Sequence, residues 1–354
     1  MAIPKIYYDT VKKKWIVENK DGNFGVICFG NCNSLSTSNG SGLLPDGEIG
    51  VFGGGSQNYY KIYFIIDYIT ISTPGNAQNF GSLTERKREL AATSNGTNNR
   101  GVFGGGTKNT SGWDNYDISA IDYIVMFTPC DATNFGNLSV ARDGLAATSN
   151  GINDRGVFGG GDKGEKMYVD IMDYITISTP GNAQNFGNLT VARQFLAATS
   201  NGRYGRGVFG GGEREKREKI KIIEYITIST PGNAKNFGNL TVARLGLAAT
   251  SNGTHNRGVF GGAKIDNKIS TIEYITISTP GDAQSFGNLT VAREYLAATS
   301  NGTNDRGVFG GGSINFSDKI YNNIDYITIS TPGNAQNFGN LTVARENLAA
   351  TSNG

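Results

Sequence analysis

The run Gly-Val-Phe-Gly-Gly begins at Gly50, Gly101, Gly156, Gly207, Gly258 and Gly307, at intervals of 51, 55, 51, 51 and 49 residues. A fixed period of this kind constrains the fold more tightly than any local propensity, because each repeat must be one supersecondary unit stacked on copies of itself. About fifty residues is too long for a solenoid coil and the right length for a sheet of four short strands. The 51 glycines, in a chain that is only 38% apolar, suit many short strands joined by tight turns.

The copy from Leu296 to Arg345 shows the unit in its most regular form. Leu296-Ala-Ala-Thr-Ser-Asn301-Gly302 reads as a small-residue innermost strand ending in a hairpin pair that tolerates positive φ. Gly307-Val-Phe-Gly-Gly-Gly312 follows as a short apolar strand, with Phe309 in the core. Ile324-Asp-Tyr-Ile-Thr-Ile-Ser330 alternates with period two and predicts a half-buried third strand. Thr331-Pro332-Gly333-Asn334 predicts a type II turn, with proline fixing φ and glycine supplying a positive φ. Asn337-Phe-Gly339 through Val343 then forms the fourth strand.

This order resembles a kelch repeat, with a strand ending in Gly-Gly, a tyrosine strand and a later arginine. The tyrosines are Tyr68, Tyr123, Tyr174, Tyr225, Tyr274 and Tyr326, and phenylalanine (Phe80, Phe135, Phe186, Phe237, Phe286, Phe338) stands where kelch repeats usually carry tryptophan. The resemblance implies an all-β, seven-bladed propeller of four antiparallel strands per blade, a single domain over residues 1–354. In that reading residues 35–347 supply six complete blades, and the small strand at residues 348–354 closes a blade begun at the N-terminus by residues 1–34. Near-identical copies of this kind also resemble repeat proteins of tailed bacteriophages, which implies a virion component.

No catalytic set, metal site or cofactor is expected. The single histidine, His255, cannot supply the two histidine ligands of a copper radical oxidase, and Cys28 and Cys32 have no partner ligands for zinc. The three cysteines, Cys130 included, read as reduced thiols. A formal charge of +2 gives no field that would draw the chain to nucleic acid or anionic lipid. Met1 to Tyr7 lacks an apolar export region and no run is long enough to span a membrane, so neither Sec export nor membrane insertion is expected. A virion location is expected if the gene is phage-borne, and a cytoplasmic one otherwise.

Two charge sets recur by blade. Arg100, Arg155, Arg206, Arg257 and Arg306 precede the Gly-Val-Phe strand, where an ion pair or a bond to a loop carbonyl is expected. Arg142, Arg193, Arg244, Arg293 and Arg345, with Lys87 in the first complete copy, either pack between blades or ring one mouth of the channel.

Two segments differ among the copies: the connection from second to third strand, and the dipeptide between that arginine and the small strand. In an up-and-down blade both lie on one face. They carry Tyr59, Tyr60, Trp113, Tyr116, Tyr168 and Phe316 in the loops, and Phe195 and Tyr295 in the dipeptides. Aromatic area beside polar groups suits a glycan- or protein-binding surface. The expectation is a non-catalytic module contacting a host-surface glycan or a structural protein, the alternative being an intracellular protein-interaction platform.

Overall fold

A computed structural model of the chain describes residues 5–9, 14–18, 24–26 and 44–353, apart from 45–46, 59–60, 95–98, 110–114, 152, 201–204, 252, 254, 265–267, 302–303 and 315–318. Each repeat folds as the alternation predicts, into one antiparallel sheet. In the third blade the strands are Ala146–Ser149, Arg155–Gly159, Ile171–Thr176 and Gln184–Asn188, hydrogen-bonded in that order. The third strand is more buried than expected, because each sheet is sandwiched between two neighbours. Met172 enters the apolar cluster shared with the fourth blade, while Ile175 and Phe158 enter the cluster shared with the second.

The glycines of Gly-Val-Phe-Gly explain the fit between blades. A Cβ on Gly104 would come within 2.8 Å of the Phe158 ring, so the second blade accepts the phenylalanine of the third only where it has no side chain. The aromatic of Gly-Val-Phe thus belongs to the seam between blades: Phe158 and Phe209 are both fully buried there.

Among the described residues there are six such sheets, where seven were expected. Ala349–Ser352 pairs with Ile49–Gly53, in the sheet that continues through Ile65–Thr70 and Gln78–Ser82. The C-terminal strand therefore does close the ring, but on the first Gly-Val-Phe strand rather than on residues 1–34. The small strands contact one another in cyclic order, the last touching the first. Phe52 and Ile71 pack with Val308 and Leu348 across the closing seam. Six Gly-Val-Phe strands make six blades, and counting the N-terminal strands as a seventh was the error. Lys5–Asp9, Lys14–Glu18 and Phe24–Val26 are strands, as the sequence predicts, yet they pair with one another in a separate sheet. The small segment at Leu35 lies outside the described residues.

The turn before the fourth strand also differs from expectation. Its closing hydrogen bond runs from the Thr179 amide to the Thr176 carbonyl, 3.0 Å, so the chain reverses over Thr176–Thr179 and Pro180-Gly181 comes after the turn. None of the Pro-Gly glycines has a positive φ, and the second blade accordingly has Cys130 in that place. The residue that follows carries the seam. Asn182 Oδ1 accepts the Asn137 amide of the preceding blade at 3.0 Å, and Asn76, Asp131, Asn233, Asp282 and Asn334 repeat the contact around the ring.

Candidate binding face

The two recurrent charge sets lie within the blade seams. Arg142, Arg193, Arg244, Arg293 and Arg345 are fully buried, as is Lys87, and each is paired with a buried acid on the third strand of the next blade: Asp173, Glu224, Glu273, Asp325, Asp67 and Asp122 respectively. The lysine and arginine pairs with aspartate span 2.8–3.1 Å. None of the six cations reaches the mouth of the channel. Arg100, Arg155, Arg206, Arg257 and Arg306 lie over the tyrosine of their own blade, 4.4–4.6 Å from the ring centroid. Each also donates to a carbonyl of the following blade, as Arg100 Nη1 does to Ile177 at 2.8 Å.

Two hydrogen-bond rings encircle the axis. At the Ser-Asn-Gly ends of the inner strands, the hydroxyls of Ser94, Ser149, Ser200, Ser251, Ser300 and Ser352 each donate to the carbonyl of the preceding serine, and Ser94 closes on Ser352. At the opposite end the second dipeptide residues, Glu89, Gly144, Phe195, Gly246, Tyr295 and Asn347, form a backbone ring. Each amide donates to the carbonyl of the one before, at 2.7–3.0 Å, and Glu89 closes on Asn347. This geometry holds every member in the left-handed region, with φ between 52° and 65°. Glycine adopts it freely and asparagine, as at Asn347, tolerates it; Glu89, Phe195 and Tyr295 adopt it at a cost of about 1–2 kcal/mol each.

The second ring forms the rim of a shallow cavity of about 70 Å³, backed by the six leucines that begin the inner strands. Phe195 and Tyr295 meet edge to face over Gly246, ring centroids 5.1 Å apart. A side chain on Gly246 would press on the Tyr295 ring at 3.1 Å, so the glycine is what lets the two aromatics meet. Tyr295 is buried and Phe195 half-buried.

The second-to-third strand loops share this face, as the up-and-down reading predicts. Tyr168 donates its hydroxyl to Glu213 at 2.8 Å, and the Gln194 and Glu213 backbones bridge dipeptide to loop. Tyr116 is exposed on a short hairpin, Thr107–Asn109 with Asn115–Asp117, whose Thr107 pairs with Arg88 of the first dipeptide. Tyr59, Tyr60, Trp113 and Phe316 lie outside the described residues. His255, half-exposed, holds Asp305 at 3.1 Å through Nδ1.

The rim is acidic. Burial pushes the Tyr295 hydroxyl well above its ordinary range, and Glu294, Glu89, Glu213 and Glu346 push it further the same way. Burial and then Glu89 hold the Asp143 carboxyl well above the usual carboxylate range. Asp117 is raised to about 6 by burial and then by Asp162, and Asp162 is itself raised by burial. Sequence reasoning noticed the aromatics of the dipeptides and missed the acids, whose first positions (Asp143, Glu294, Glu346) were visible in the same two-residue window.

No protein-family model matches the chain, and no curated protein matches it. No helix among the described residues is long and apolar enough to cross a membrane.

Proposed function

We propose that this chain is a non-catalytic binding module whose recognition surface is the face bearing the left-handed ring and the loops beside it. The observation that carries the reading is the strain at that ring. Two of its six positions hold glycine, which fits, and one holds asparagine, which tolerates it, while three hold glutamate, phenylalanine and tyrosine in a conformation that disfavours side chains. Large side chains kept at such positions point to use of the side chains themselves. The opposite face has a structural reason for its uniformity, since its Asn and Asp residues hold the seams. The setting we propose is a virion, in which this face contacts a host-surface glycan or a neighbouring structural protein.

The test compares faces on a glycan array and against the proteins of the particle that carries the chain. The mouth-face variant is Phe195→Gly with Tyr116→Ala; the control is Thr179→Ala with Thr331→Ala, both exposed beyond the third strands. Wild type and control should bind alike, with the mouth-face variant weaker by about 1–3 kcal/mol. Loss of binding in the control alone would place recognition on the other face. A wild type that binds neither glycans nor particle proteins would make the chain passive structure.

A further inference from the structure

The cavity at the mouth has a chemistry of its own, which extends the reading above and rests on it. Its wall is the Phe195–Tyr295 pair, whose ring faces attract cations, and Glu89 stands on the same rim, two positions from Phe195 across Gly144. Gly144 and Gly246 leave the remaining rim low. Asn347 completes it. That residue is 9% exposed and lines the cavity. A carboxamide on the rim of a cavity offers a hydrogen-bond acceptor to a group that enters it.

The charge around the cavity is one-sided. Glu89, Glu294, Glu213 and Glu346 all act on the Tyr295 hydroxyl, and Asp143 lies against Glu89. Arg88 answers part of this, its Nε 3.7 Å from Glu89. Glu213 accepts from Tyr168, and Glu346 from the Ser313 hydroxyl. An anion would meet several carboxylates here.

We propose that the mouth takes one compact organic cation, an ammonium or guanidinium group, held between the Phe195–Tyr295 pair and the Glu89 carboxylate, with the Asn347 carbonyl oxygen as a further acceptor. Such a group reaches the rim from two sources, the basic side chain of a neighbouring protein or the free amine of an amino sugar. Volume supports the size class, since about 70 Å³ admits the head of a side chain and no folded element.

Calorimetric titration with two matched pairs tests this. The first is n-butylguanidinium against neutral n-butylurea, the second glucosamine against N-acetylglucosamine. At least one cation should bind saturably, with its neutral partner weaker by about tenfold, a difference of about 1.4 kcal/mol. The pair that shows the difference names the source. Glu89→Gln and Asn347→Gly, confirmed folded by their melting curves, should each weaken the cation several-fold. Equal binding of cation and neutral partner, no saturable binding, or full affinity in Glu89→Gln overturns the inference. Partner capture by the mouth face is measured separately, so a face that binds its partner while the cavity ignores cations sinks this inference alone.

Discussion

At the scale of single residues, the second dipeptide position shows how backbone and side chain can disagree. The backbone ring demands a left-handed residue, and glycine answers that demand in two blades. Glu89→Gly should therefore stabilise the fold by about 1 kcal/mol in urea titration, through relief of strain and of the acid crowding at Asp143; a loss of stability would contradict the strain. The acids make a second prediction. Asp117 and Asp143 hold their protons to higher pH in the fold than in the unfolded chain, where an aspartate releases its proton near about 3.9. The folded state thus binds more protons over that interval. The contribution of Asp117 to stability is fully present below about pH 4 and is lost as pH rises through about 6, and that of Asp143 is lost as pH rises through its own raised value. Asp143→Asn should raise the melting temperature at pH 8 and flatten its fall between about pH 5 and pH 8. An unchanged slope would show that Asp143 is ionised without penalty.

At the scale of the strand and its seam, the alternation of Ile171–Thr176 and the Gly-Val-Phe runs are legible in the sequence, because they follow from period and turn chemistry within one repeat. What joins one repeat to the next is less legible. The Arg142 guanidinium and the Asp173 carboxylate are 31 residues apart, and nothing local says that they meet at 2.9 Å with both fully buried. The same holds for Gly104, whose open space matters only because Phe158 arrives from the next blade. Of the proposed site, the aromatic dipeptide residues and the common face were readable from differences among copies. The left-handed ring was not, since it is a property of six backbones bonded in a circle. The buried pair supplies the prediction at this scale. Arg142→Met strands the Asp173 carboxylate in a seam where the guanidinium also bonds the Gly160 carbonyl at 2.9 Å. Stability in urea should fall by about 3–5 kcal/mol. A change under about 1 kcal/mol would mean that water reaches the pair.

At the scale of the whole molecule, the ring decides everything else. The cavity at the mouth exists because, among the described residues, six inner strands surround the axis and each bonded ring closes after six steps. The last strand, Ala349–Ser352, completes the blade of Ile49–Ser82, and the strands Lys5–Asp9, Lys14–Glu18 and Phe24–Val26 take no part in that sheet. Thermal melting of two truncations tests this arrangement. Without residues 348–354 the first blade loses its inner strand and exposes a pairing edge, so melting should fall sharply and aggregation should follow. Without residues 1–34 the closed ring is intact and should melt cooperatively within a few degrees of the full chain. An N-terminal truncation that lowers the melting temperature as much as the C-terminal one would contradict a ring of six blades closed on Ile49–Gly53.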